Sequence, residues 1–111
     1  MSDAIRELTD ADFAEGVKEG VVLVDFYGTY CPPCKLLDPV LEKLAGDYAG
    51  RARVVKVNVD DNSEAAADNA VEDIPTLLIF RDGVAEERLF GAQKYETIAG
   101  ELDRQLSRRH S

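Results

Sequence analysis

An almost continuous apolar segment occurs early in the chain. The run VVLVDFY, Val21–Tyr27, is interrupted only by Asp25. Aliphatic and aromatic residues that do not alternate with polar ones are typical of a strand that is covered on both faces. The pattern therefore predicts a central strand with an acid inside it.

The segment that follows has helical periodicity. Its apolar residues recur at intervals of three and four residues, at Leu37, Val40, Leu41, Leu44 and Tyr48. Such spacing gives one apolar helix face. We expect this helix to begin between Cys31 and Cys34 and to end near Gly46 or Gly50, with a kink caused by Pro39.

The first twenty residues predict a strand and a helix. Residues 5–8 are expected to form a short strand. Thr9 followed by Asp12 has the pattern of a capping box, which marks a helix start. We expect that helix to run to Gly16 or Gly20.

The rest of the chain predicts three further strands and two helices. Residues 54–59 form a β-rich run, and NSEAAADNA predicts a short helix capped by Asn62 or Ser63. TLLIF and EERLF predict a hairpin, because the Asp82-Gly83 pair between them favours primed turns. The last helix is indicated by apolar residues at Tyr95, Ile98, Leu102 and Leu106. Positive charge near the C-terminus of a helix interacts favourably with the negative end of its dipole. Three arginines lie there: Arg104, Arg108 and Arg109.

Composition and charge narrow the class of protein. A chain of 111 residues with 45% apolar and 32% charged residues suits one globular domain, and we expect residues 1–111 to form it. The net charge of -9 disfavours binding to nucleic acid or to anionic membranes. The N-terminal MSDAIRELTD lacks the features of a signal peptide, and no apolar run approaches a membrane span. These features predict a cytoplasmic protein.

The only two cysteines, Cys31 and Cys34, lie in a Cys-Pro-Pro-Cys motif. A structural disulfide is unusual in the cytosol, and one closing so short a loop stabilises by only about 2 kcal/mol. Structural zinc usually needs four ligands, and the chain adds only His110. Two prolines between the cysteines indicate a turn, which disfavours inert core thiols. Redox chemistry is the leading interpretation, and no metal site is expected.

The expected helix start assigns different roles to the two thiols. Unpaired N–H groups and the positive end of the helix dipole would favour a thiolate at Cys31. Cys31 is then the attacking nucleophile. Cys34, one turn into the helix, would resolve the mixed disulfide that Cys31 forms with a substrate.

Asp25 is the second candidate for the chemistry. Burial in an apolar strand would raise the pKa of its carboxyl group, which could then exchange protons with Cys34 near neutral pH. The alternative is an ordinary acid at the exposed end of the strand.

Four segments in order resemble the thioredoxin family: VLVDFYGTYCPPCKLLDPVLEKLA, VVKVNVDDN, DIPTLLIFRDG and GAQ. The resemblance covers roughly residues 5–106. It implies an α/β thioredoxin fold, in which a single-layer mixed sheet of about five strands is flanked by about four helices. It also implies thiol-disulfide exchange at the start of the second helix, no cofactor beyond the dithiol, disulfide-containing client proteins and a thioredoxin reductase-type electron donor. We expect a monomer.

The resemblance also suggests a substrate groove. It implies a cis peptide before Pro75, packed against the dithiol, with the Ile74 backbone free to pair with an extended substrate. The other residues expected to contact substrate are Tyr30, Pro32, Pro33, Gly91 and Ala92. Gly91 could instead be only a turn glycine. Lys56 is either a solvated lysine or, by the resemblance, a neighbour that tunes Asp25.

Two departures from the family pattern affect these expectations. The usual Trp-Cys-Gly-Pro-Cys is here Tyr30-Cys31-Pro32-Pro33-Cys34, and the chain has no Trp. Pro32 stiffens the loop and removes an N–H that could have served the thiolate. Asp73, before Ile74, would disfavour acidic partners.

Three functions remain open at this point. The first is a reductant of client disulfides. The second is an oxidant or isomerase, because couples of this type span about −270 to −120 mV. The third is a binding or scaffold module in which the thiols are incidental.

Overall fold

The structure, a computed structural model, describes residues 5–108. Arg109 and His110, named above, lie outside the described residues. The elements in chain order are β1 (Ile5–Glu7), α1 (Phe13–Gly16), β2 (Val21–Tyr27), α2 (Pro32–Asp47), β3 (Ala52–Asn58), α3 (Ser63–Asp68), β4 (Thr76–Arg81), β5 (Val84–Phe90) and α4 (Tyr95–Ser107).

The strands form one mixed sheet in the order β1-β3-β2-β4-β5. The pairs β1–β3 and β3–β2 are parallel, whereas β2–β4 and β4–β5 are antiparallel. Strand β2, which was predicted to be central, lies in the middle of the sheet. The described chain has five strands and four helices, as expected.

Both faces of β2 are covered, which explains its unbroken apolar run. One face packs against α2 and α4 and contains Val21 and Leu23. The opposite face contains Val22, Val24 and Phe26. Burial of alternate residues in two different layers therefore removes the usual alternation of apolar and polar positions.

The predicted apolar face of α2 is confirmed. Leu37, Leu41, Leu44 and Tyr48 are buried, and Val40 is partly buried against the same cluster. The helix continues through Pro39 without a break. The kink itself stays a prediction.

Helix α1 is shorter than the capping-box pattern predicted. The Thr9 N–H does donate to Asp12 Oδ1 at 2.6 Å, but the helix begins only at Phe13. The Thr9–Asp12 pair therefore closes a turn that precedes the helix. Gly16, the last residue of the helix, packs closely on Leu8, since a Cβ at Gly16 would lie 2.6 Å from Leu8 Cδ1.

Asn62 occupies the N-cap position of α3, as one of the two predicted alternatives, but its side chain makes no capping bond. Asp10 does this instead, accepting from the N–H of Ala65 at 2.7 Å and of Glu64 at 3.3 Å. Asn62 Oδ1 in turn accepts from the Asp10 N–H at 3.0 Å. The cap thus comes from a residue more than fifty positions away in the chain.

The predicted hairpin is confirmed around Asp82 and Gly83. Their φ angles are 51° and 87°, and type I′ turns require positive φ at both central residues. Strand β5 begins at Val84, two residues before the expected start, and the β4–β5 ladder has an irregularity at Ile79 and Phe80.

Candidate active site

The disulfide Cys31–Cys34 lies at the N-terminus of α2. Cys31 is the N-cap residue, with extended φ and ψ of −141° and 92°, and the two sulfurs are bonded. Pro32 and Pro33 occupy the first helical positions, where a missing N–H costs nothing because the helix would leave it unpaired. The two prolines therefore suit the start of a helix.

The first helical N–H that can donate belongs to Cys34, since the two prolines have none. It donates to Cys31 Sγ at 3.3 Å. A hydrogen bond and the positive helix end both favour negative charge on that sulfur after reduction. This geometry supports the assignment of Cys31 as the nucleophile.

Exposure does not separate the two cysteines. Cys31 is 5% exposed and Cys34 is 3% exposed, so exposure gives no basis for choosing the nucleophile. The surface around them is formed by Pro32 and Pro33, both exposed, and by Tyr30, which is 95% exposed as predicted.

Asp25 is fully buried, so an exposed strand end is excluded. Neither of its carboxyl oxygens has a hydrogen-bond partner among the described residues. Loss of hydration raises the pKa of Asp25 to about 7; the charge of Lys56 opposes this rise, while Asp38 and Glu7 add to it. A carboxyl group with such a pKa can accept and return protons near neutral pH.

Lys56 lies beside Asp25 in the sheet but forms its ion pair elsewhere. The two residues are register partners on β3 and β2. Lys56 Nζ donates to Asp38 Oδ1 at 2.8 Å and lies 4.4 Å from the centre of the Tyr27 ring. Its side chain is only 17% exposed and is paired with Asp38, which disfavours an ordinary solvated lysine. Sequence reasoning missed Asp38, although its spacing of four residues from Cys34 places both on one face of α2.

The loop before β4 contains two of the predicted substrate-contact residues, Ile74 and Pro75. The Ile74–Pro75 peptide is cis, as the resemblance implied, and Pro75 is buried. The Gly91 N–H donates to Pro75 O at 2.9 Å, with φ of 79° at Gly91. Gly91 is therefore both a turn glycine and a neighbour of Pro75. Ala92, next along, is exposed.

Gly28 is a further site residue that the sequence analysis missed. A Cβ at this position would lie 2.5 Å from Ile74 Cδ1 and 3.9 Å from Cys31 Cβ. A side chain at this position would therefore require the end of the Ile74 side chain to move. The signal available in the sequence was the glycine directly after the central strand.

A small cavity of about 80 Å³ opens beside Cys34. It is lined by Tyr27, Gly28, Thr29, Cys34, Lys35, Asp38 and Lys56. This volume is large enough for water molecules, and the lining offers charged and polar groups that could hold them. A larger open depression near Gly20 and Arg53 contains none of the predicted site residues.

Residues 5–108 contain no group of three or more His, Cys, Asp or Glu residues placed to hold a metal ion. Within the same residues, no helix has the length and apolar character required to cross a membrane.

A dithiol at a helix start, backed by a buried acid, defines a protein that exchanges disulfides. Comparison with known proteins gives the family. The thioredoxin family model matches residues 4–104. Thioredoxins from Staphylococcus haemolyticus (strain JCSC1435), Staphylococcus epidermidis (strain ATCC 12228) and Staphylococcus aureus (strain N315) are each 48% identical over 103 residues, which cover 93% of this chain and 99% of the relative. The chain belongs to the thioredoxin family and is a thioredoxin-type dithiol-disulfide oxidoreductase.

Proposed function

We propose that the protein acts as a reductant, passing two electrons from its dithiol to disulfides in client proteins. The observation that carries this proposal is the 48% identity to thioredoxins over 93% of the chain. The Cys34 N–H hydrogen bond to Cys31 Sγ at the start of α2 supports Cys31 as the attacking thiolate. A stabilised thiolate is the form that attacks a disulfide. The oxidised protein is then recharged by a thioredoxin reductase-type donor.

The reaction proceeds in two exchanges. The Cys31 thiolate attacks one client sulfur, forming a mixed disulfide and releasing the other client sulfur as a thiolate. Cys34 then loses its proton to Asp25, with water in the adjacent cavity as the carrier, and attacks Cys31 Sγ. The Cys31–Cys34 disulfide forms, and the second client sulfur leaves as a thiolate. Lys56 adjusts the proton affinity of Asp25.

We assign client binding to the surface around the disulfide. Its residues are Tyr30, Pro32, Pro33, Ile74, Pro75, Gly91 and Ala92. An extended client segment would lie along the Ile74 backbone and pair with it. Asp73, exposed next to Ile74, and the net charge of -9 favour clients with neutral or basic surfaces.

We further propose a cytoplasmic monomer of one domain that needs no cofactor besides its dithiol. The reducing cytosol keeps such a dithiol available, because thiol systems there hold cysteines reduced. The acidic charge speaks against nucleic acid and anionic membranes as partners.

Trapping of the mixed disulfide tests this mechanism. Reduced C34S protein, mixed with insulin as a disulfide substrate, should accumulate a covalent complex that dithiothreitol releases. Under the same conditions the wild type should reduce insulin without accumulating the complex, and the matched variant C31S should give neither. A stable complex with C31S but not with C34S would reverse the assignment. Undiminished function of the double variant C31S/C34S would favour the scaffold alternative.

A further inference from the structure

Asp38 occupies a distinctive place between the dithiol and the sheet. It follows Cys34 by one helical turn on α2, so both lie on the same helix face. That helix packs on the sheet face that carries Val21, Leu23 and Val54. Because strand residues two apart share a face, Asp25 and Lys56 lie on that face as well.

The ion pair of this cluster joins Lys56 to Asp38 rather than to Asp25. Lys56 Nζ lies 2.8 Å from Asp38 Oδ1, and the two side chains are 17% and 49% exposed. Asp25, the register partner of Lys56, has no hydrogen-bond partner among residues 5–108. The lysine that could neutralise the buried acid is thus held by a second acid.

The position of Lys56 is fixed from two sides. Asp38 holds its ammonium group from α2, and the ring of Tyr27 lies 4.4 Å from Nζ. Tyr27 is itself held, since its hydroxyl donates to the Glu7 carboxylate at 2.8 Å. Lys56 and Asp38 both line the cavity that also exposes Cys34.

We propose that Asp38 is a positioning residue for the proton chemistry of this site: its carboxylate holds the Lys56 ammonium at the cavity beside Cys34 and withholds it from Asp25. The proposal deepens the function proposed above and rests on it only for its catalytic consequence. The contact between Lys56 and Asp38 is seen directly in the structure, together with the supporting contacts of Tyr27 and Glu7.

The charges facing Asp25 come from three elements. Lys56 on β3 favours the carboxylate, whereas Asp38 on α2 and Glu7 on β1 favour the protonated acid. Asp38 therefore raises the pKa of Asp25 in two ways, through its own negative charge and by restraining Lys56. Loss of Asp38 should lower the pH at which Asp25 titrates, because Lys56 becomes free to approach it.

The direct test follows the carboxyl carbon of Asp25 by NMR, in oxidised protein carrying ¹³C-labelled aspartate, as pH is varied. The variant D25N assigns the signal. We expect D38A to lower the midpoint by roughly 0.5 to 1 pH unit, and D38N, whose amide oxygen can still accept from Lys56, to lower it less. The matched control E42A removes an exposed acid one turn further along α2 and should leave the midpoint within about 0.2 unit.

A double-variant cycle separates positioning of Lys56 from simple loss of charge. K56M alone should raise the midpoint, and in the K56M background D38A should lower it by less than half of its effect in the wild type. A D38A shift below about 0.2 unit overturns the proposal. So does a D38A shift of equal size with and without Lys56. Thermal unfolding of each variant confirms that it is folded at the pH values used.

The catalytic consequence is measured separately. Resolution of a mixed disulfide by Cys34 should have a pH midpoint that moves down with D38A by the same amount as the Asp25 titration. If the titration moves and the rate profile does not, the positioning role of Asp38 stands and the proposed base role of Asp25 fails. If the titration does not move, the proposal for Asp38 fails whatever the rate shows.

Discussion

The two ends of the β2–α2 pair differ sharply in what they bury. The apolar end consists of Val21, Leu23, Leu41 and Leu44, all buried in one cluster. The active-site end consists of Asp25, Cys31 and Cys34, which are also buried. At the apolar end burial removes hydrocarbon from water. At the active-site end it leaves the Asp25 carboxyl group without a hydrogen-bond partner among residues 5–108.

The difference shows how one strand and one helix serve both stability and chemistry. Each large side chain buried at the apolar end stabilises the fold by about 1.5 to 3 kcal/mol. Ionisation of Asp25 costs about 4 kcal/mol above neutral pH, since burial raises its pKa from 3.8 to about 7. The stability supplied by the apolar end therefore offsets the cost of ionising Asp25 at the active-site end.

The largest effect should come from Cys31. C31S should lower the rate of insulin reduction by about 10³-fold or more, because no other group can form the mixed disulfide in the same way. The rate is measured at equal concentrations of folded protein. A variant of the apolar end, L41A, should keep most of the wild-type rate under conditions where it is folded. Comparable losses in both would erase the distinction between the two ends.

The second effect is a pH dependence of stability that belongs to Asp25. Its pKa is higher in the folded than in the unfolded chain, so the folded protein binds the extra proton between about pH 4 and 7. The contribution of Asp25 to the free energy of unfolding is fully present below about pH 4 and is lost as pH rises through about 7. We expect D25N to gain up to about 4 kcal/mol over the wild type between pH 4 and pH 9, measured by denaturant unfolding of the oxidised proteins.

Only the change with pH tests this account, because the buried amide of D25N carries its own desolvation cost. The matched control E42Q replaces an exposed acid on α2 and should show no comparable change. A difference between D25N and the wild type that is equal at pH 4 and pH 9 would show that Asp25 is not a buried, proton-binding acid.

The third effect concerns the apolar end alone. L41A should cost about 3 kcal/mol, because it removes packed methyl groups and leaves a cavity at a residue that is 0% exposed. The matched control L36A lies on the same helix with 69% exposure and should change stability by less than about 0.5 kcal/mol. Similar costs for the two leucines would contradict the assigned helix orientation.

The smallest effect compares two glycines outside both ends. Gly83 has a φ of 87°, so G83A should destabilise by about 1 kcal/mol. Gly100 lies inside α4 with open space around its Cα, so G100A should stabilise by about 0.5 to 1 kcal/mol. Chemical denaturation measures both. Neither change should alter insulin reduction, and the same sign for both would refute the assigned turn.

What the sequence revealed depended on local patterns. The covered strand β2 and the apolar face of α2 follow from spacings within one element, and both are confirmed. Burial of Asp25 followed from its position between apolar neighbours in β2. The hairpin was found because the two residues of its turn carry their own conformational preference.

The features that were missed depend on contacts between distant segments. Asp10 caps α3 across more than fifty residues, and Asp38 pairs with Lys56 across a separation of 18. Gly28 meets the Ile74 side chain, which comes from a distant part of the chain. No periodicity in one segment indicates which side chain of another will meet it, so these details needed the three-dimensional structure.

The central claim is that the active-site end forms a reducing dithiol, and its equilibrium reduction potential tests this most directly. The Cys31/Cys34 couple is equilibrated with defined ratios of reduced and oxidised dithiothreitol, and the fraction of disulfide is measured. We expect a value near the −270 mV that is known for thioredoxins, or below it, at which the dithiol can open most client disulfides. A value of about −180 to −120 mV would contradict the account and indicate an oxidant or isomerase.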